Sequence, residues 1–145
     1  MQDDTGRADC ARIHEQWHHH AKSRDVDGLL ALYAEDAILE SPLVPAILDD
    51  VPEGMLEGRA AIRRFVVEGT RRRPNALVRW YRSDVFLTDG RLLIWEYPRA
   101  TPDGDQVDIV EVMEIAAGLI RHHRIYWGWK GCFLIAPALA ARSAL

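Results

Sequence analysis

A chain of 145 residues, 48% apolar and 28% charged, has the size and balance of one globular domain with its own core. Its net charge of −4 excludes an electrostatic grip on a phosphate backbone, so no nucleic-acid partner is expected. No apolar run is long enough to cross a membrane, and the polar start Met1-Gln2-Asp3-Asp4 is not a secretory signal. The expectation is therefore no membrane partner and a cytoplasmic, reducing setting, with Cys10 and Cys132 both buried as free thiols.

Residues 1–6 read as a flexible tail, 7–135 as a single domain, and the alanine-rich stretch 136–145 as a C-terminal extension. A first helix is predicted from Arg7 to Ser23, because Cys10, Ile13, Trp17 and Ala21 share one helical face. A second runs from Val26 to Tyr33, with Asp25 or Asp27 available as its cap. Ala37 to Glu40 reads as a short strand stopped by Ser41-Pro42. The stretch from Pro42 to Gly58, with three prolines, reads as a long loop forming a lid or mouth. A third helix follows from Arg59 to Thr70, burying Ile62, Phe65, Val66 and Gly69. Arg71, Arg72 and Arg73 then sit at its solvated end.

Beyond Pro74 the pattern changes to period two. Strands are predicted over Leu77 to Thr88, Arg91 to Arg99, Val107 to Ala116 and Leu119 to Phe133. The turns between them fall at Asp89-Gly90, Pro102-Asp103-Gly104 and Ala117-Gly118. Helices first and strands after argue for an α+β fold with the helices on one face of an antiparallel sheet.

The last hairpin yields a candidate site. A two-residue turn at Ala117-Gly118 places Ala116 opposite Leu119 and Ile115 opposite Ile120. Continued unbroken, it sets Met113 against His122, Glu111 against Arg124, and Ile109 against Tyr126, all on one side. The apolar turn end marks that side as the core face. Glu111, His122 and Arg124 would then meet in an apolar hollow, where unpaired charge is costly and a functional site is the natural reading. The competing reading is a cross-strand ion pair on a solvated face, and a slip of one residue exchanges the two faces.

These residues support a resemblance. Asp27-Gly28-Leu29-Leu30-Ala31-Leu32-Tyr33-Ala34-Glu35-Asp36-Ala37 with Glu40-Ser41-Pro42, then Gly58 to Phe65, and Gly118-Leu119-Ile120 through Tyr126-Trp127, resemble the NTF2-like superfamily in its SnoaL-like polyketide cyclase and ketosteroid isomerase branch. The resemblance covers roughly residues 8 to 133. It implies a cone: three N-terminal helices packed on a strongly curved, mostly antiparallel sheet that encloses a pocket and commonly dimerises through its outer face. A homodimer is the corresponding expectation. The steroid-isomerase groups do not carry over. Trp17 stands where that branch has a tyrosine on helix one, Ser41 where it has the base aspartate, and Glu111 where it has a second oxyanion donor. Gly128 stands where cyclase and epoxide-hydrolase relatives carry a late-strand aspartate.

The expected function is cofactor-free acid–base chemistry (isomerisation, cyclisation, dehydration or epoxide opening) on a hydrophobic, oxygenated small molecule. Glu111 and His122 act as acid and base, and Arg124 orients Glu111 or the substrate oxygen. Trp17, Tyr33, Ser41, Phe65, Trp95, Tyr97, Met113 and Tyr126 are expected to line the pocket. A non-catalytic ligand-binding or assembly module is the alternative on the same fold. His14-Glu15-Gln16-Trp17-His18 matches H-E-x-x-H, but Ala21 and Arg24 stand where its extended form needs Gly and His. The histidines are therefore read as a solvated helix face, and no metal is expected. Trp127 and Trp129 are expected together on the outer sheet face, at a subunit interface.

Overall fold

The computed structural model describes residues 2–72, 85–100 and 106–142. Its helices are α1 (Gln2–Ser23), α2 (Val26–Ala31), α3 (Leu43–Ile47), α4 (Arg59–Arg72) and α5 (Trp129–Arg142). Its strands are β1 (Tyr33–Glu40), β2 (Met55–Glu57), β3 (Leu87–Thr88), β4 (Leu92–Ala100), β5 (Gln106–Ala116) and β6 (Leu119–Trp127). The strands form one six-stranded sheet in the order β2-β1-β6-β5-β4-β3. Every neighbouring pair is antiparallel except β1 and β6, which run parallel. The helices pack against this open sheet, so the expected α+β arrangement is present. Among the described residues no helix is long and apolar enough to cross a membrane.

Local chemistry accounts for the elements. Cys10, Ile13, Trp17 and Ala21 do form the buried stripe of α1. Asp25 caps α2 by accepting the Gly28 N–H at 2.9 Å. In the Ala117-Gly118 turn both residues have positive φ, 52° and 74°. That is the handedness a tight hairpin requires, and alanine adopts it at a cost. Replacing Ala117 with Asn should therefore stabilise the fold by about 0.5–1 kcal/mol, read as a rise in thermal midpoint.

Several boundaries differ from the sequence reading. Residues 2–6, expected as loose tail, form the first turns of α1. They are held because Arg7 donates to the Thr88 carbonyl at 2.9 Å and Gly6 lies against the Gly90 carbonyl, where a Cβ has no room. Tyr33 begins β1 instead of ending α2. The Pro42 to Gly58 stretch is not a plain loop: it folds α3 and then β2, which pairs with β1. The strand expected from Leu119 to Phe133 ends at Trp127, and Gly128, packed against the Asp108 carbonyl, leads into α5. Cys132 is consequently exposed on α5, whereas Cys10 is buried and its burial pushes the thiol's pKa up. The Asp89-Gly90 turn joins β3 to β4 as expected. Residues 77–84 of the predicted strand and the turn at Pro102-Asp103-Gly104 lie outside the described residues.

The largest correction is one of register. Ala116 faces Leu119 and Ile115 faces Ile120 as expected, but a bulge follows, and Glu114 faces His122. Arg121 is the extra residue, exposed and pointing out. From there on the pairs are Met113 with His123, Glu111 with Ile125, and Ile109 with Trp127. His123, Ile125 and Trp127 thus turn inward, and His122, Arg124 and Tyr126 turn outward.

Candidate active site

The inward row crosses the sheet in ladders. Leu93, Met113, His123 and Leu39 lie side by side, next to Trp95, Glu111 and Ile125, and then Tyr97, Ile109 and Trp127. The helices cover this row and leave a cavity of about 90 Å³, enough for several waters or a small ring. Of the residues expected at the pocket, Trp17, Tyr33, Ser41, Phe65, Tyr97 and Glu111 line it. Trp95 and Met113 point the same way but lie below the lining, 2% and 0% exposed.

At the cavity wall four polar side chains form one chain of hydrogen bonds. Tyr97 Oη donates to Glu111 Oε1 at 2.7 Å. The other carboxylate oxygen, Oε2, bonds His123 Nε2, and His123 Nδ1 meets Tyr33 Oη at 2.7 Å. All four residues are at most 3% exposed. A carboxylate at this depth persists only if its oxygens are met by donors, and here both are. An ionised Glu111 accepts from Tyr97 O–H and from His123 Nε2–H. His123 Nδ1 is then an acceptor, and Tyr33 O–H donates to it. The Trp17 side chain in turn bonds Tyr33. Burial and the nearby Glu111 charge push the Tyr33 phenol well above its ordinary pKa, so it stays protonated. Arg59 fixes the start of β1 by donating to the Tyr33 carbonyl from Nη2 at 2.6 Å and Nε at 3.1 Å.

The expected trio of Glu111, His122 and Arg124 is not assembled, because the bulge separates it. His122 bonds Glu40 on the opposite side of the sheet and lies 3.4 Å from Glu114. Arg124 donates to Glu114 at 2.8 Å, and that bond holds the Glu114 carboxyl below its usual range. Tyr126 is 55% exposed on the same outer side. Trp127, expected outside, lines the cavity, and Trp129 stands exposed on α5, so the two do not form a shared patch. The residues that sequence reasoning missed are His123, Ile125 and Trp127. Their signal was a change of parity: Ile120 is apolar on even numbering, Ile125 and Trp127 on odd. A strand keeps both inside only by inserting a residue between them.

The H-E-x-x-H histidines are not on a solvated face. His14 and His18 are 2% and 3% exposed, in a cluster with Trp17, Trp95 and Phe86. His18 Nδ1 pairs with the His14 carbonyl at 2.7 Å, and among the described residues no group of three or more ligand-type side chains is placed to hold a metal. Burial pulls the His18 pKa below its ordinary value of about 6.5. The unfolded chain therefore takes up this proton first as pH falls. His18 lends its full stability above pH 6.5 and loses it on acidification, at up to about 1.4 kcal/mol per pH unit. Denaturant titrations from pH 7.5 to 5 should show this slope, and His18→Gln should flatten it.

Residues 14–123 match the model of a SnoaL-like domain. Among solved structures, a candidate ketosteroid isomerase from Kribbella flavida aligns over 89% of this chain and 83% of its own, at 20% identity and TM-score 0.64. A SnoaL-like protein of unknown function from Burkholderia thailandensis aligns over 84% and 96%, at 16% identity and TM-score 0.64. A candidate polyketide cyclase from Sinorhizobium meliloti aligns over 79% and 94%, at 20% identity and TM-score 0.58. At these identities the likeness is one of fold. Among curated proteins, none matches the sequence.

Proposed function

The chain belongs to the SnoaL-like domain family, and from that premise we propose that it is an acid–base enzyme whose own side chains move a proton on an apolar, oxygen-bearing small molecule. The carrying observation is the buried run Tyr97–Glu111–His123–Tyr33 on the wall of a mostly apolar cavity. A carboxylate bound to one imidazole nitrogen fixes the ring's tautomer and orientation and faces the imidazolium once it forms. The substrate yields a proton to Tyr33 Oη as the Tyr33 proton passes to His123 Nδ1. Glu111 then faces an imidazolium, and no net charge has entered the site. Reversing the transfer to another substrate atom gives isomerisation, and delivering the proton to a hydroxyl oxygen gives dehydration. Among the described residues the lining is mostly apolar, which supports an apolar substrate.

The test uses a neutral ketone with acidic α-protons, 2-tetralone, in D2O, with exchange followed by proton NMR. The parent protein should accelerate exchange, and Tyr33→Phe and His123→Gln should each reduce it by about 10²–10⁴-fold. If 2-tetralone binds and exchanges no faster than in buffer, the protein is a ligand carrier and the proposal fails.

A further inference from the structure

Gly131 lies in the first turn of α5, where a glycine weakens the helix it helps to start. A side chain there has no space. A Cβ built on Gly131 falls less than 3.0 Å from Cε3 of the Trp127 indole, a separation real Cβ atoms essentially never show, and 3.3 Å from its Cδ2. The same Trp127 lines the cavity, and Gly131 does not. The backbone on both sides is fixed: Trp127 pairs with Ile109, Gly128 N–H donates to the Asp108 carbonyl at 2.8 Å, and Cys132 N–H to the Gly128 carbonyl at 3.1 Å. Ile135, 6% exposed, anchors the next turn of α5. With both main chains pinned, the group that yields to a larger residue 131 is the indole, which borders the cavity.

We propose that Gly131, acting through Trp127, sets the largest ligand the cavity accepts; this rests on the small-molecule reading given above. The indole leans back against α5 because residue 131 carries no side chain, and the space it vacates belongs to the ligand. Gly131 is a positioning residue, and Trp127 is the group that touches the ligand. A methyl at 131 tips the ring inward and narrows a cavity of only about 90 Å³.

The experiment measures phenol and 2-naphthol affinities by calorimetry for the parent, Gly131→Ala, Trp127→Phe and the double variant. It also follows the Trp127 indole N–H resonance without ligand. Gly131→Ala should weaken 2-naphthol by about tenfold or more while changing phenol by less than about threefold. The double variant, with a smaller ring, should recover 2-naphthol. Trp127→Phe alone should shift the preference toward 2-naphthol, which keeps the idea testable if Gly131→Ala fails to fold. Unchanged ratios in every variant overturn the proposal, as does an unmoved indole resonance in Gly131→Ala, which leaves the reading of the cavity intact. Binding of neither probe by the parent removes that reading and this proposal with it.

Discussion

Glu111→Ala should lower the unfolding free energy by about 3–5 kcal/mol, against about 1 kcal/mol for Glu111→Gln. The alanine variant strips the partner from two buried donors, Tyr97 O–H and His123 Nε2–H, and removes packing from the cavity wall. Each orphaned donor costs about 1–3 kcal/mol, more than a solvated bond would return. Glutamine fills the same volume. Its oxygen still accepts from Tyr97, and its amide N–H turns toward His123 Nε2. That ring must then carry its proton on Nδ1 and donate to Tyr33. The two variants therefore separate in urea midpoint, and the glutamine form should show the opposite imidazole tautomer by nitrogen NMR. An alanine variant within 1 kcal/mol of the parent would place the carboxylate outside any buried network.

Stability should also fall steeply above pH 10, by about 3 kcal/mol at pH 12, through Tyr33. In the folded protein this phenol holds its proton far above its ordinary pKa, because it is buried and faces Glu111. In the unfolded chain it ionises near pH 10. The native state therefore binds one more proton than the unfolded state across the alkaline range. The stability tied to that proton is complete below pH 10 and drains as pH rises, at up to about 1.4 kcal/mol per unit. Tyr33→Phe should be less stable at pH 7, because His123 and Trp17 each lose a hydrogen-bond partner. Its alkaline slope should be shallower by one proton. Urea midpoints for both proteins between pH 8 and 12 measure the difference, and parallel slopes would contradict it.

Much of the fold was legible because its signals are local. The apolar stripe of α1, the Asp25 cap, the helix from Arg59 and the Asp89-Gly90 and Ala117-Gly118 turns each follow from a few neighbouring residues. Half of the site was legible for the same reason: alternation along β4 and β5 puts Tyr97 and Glu111 inward without reference to any other strand. The rest depended on a contest between segments. Ile120 near the turn and Ile125 and Trp127 beyond it demand opposite parities, and the sheet satisfies both by extruding Arg121. Reading the strand as continuous chose His122 over its neighbour His123 and brought Arg124 and Tyr126 with it. The entry of Tyr33 into β1 was hidden because Leu29, Leu30, Leu32 and Tyr33 read equally well as a helical face. The burial of His14 and His18 was hidden because the aromatic shelf that receives them comes from Phe86 and Trp95, more than 65 residues away.

The parallel pairing of β1 with β6 also governs the order of assembly. Tyr33 and His123 are separated by 90 residues, and β1 has only the three-residue β2 beside it until β6 has been made. A nascent chain therefore carries β1 and the apolar faces of α1, α2 and α4 without the central strand that completes the sheet. Closing so long a loop delays the folding step, and the strand edge stays open to other chains meanwhile. Synthesis on the ribosome consequently lets Tyr33 meet His123 only once β6 has emerged, and places the period of greatest aggregation hazard just before that moment.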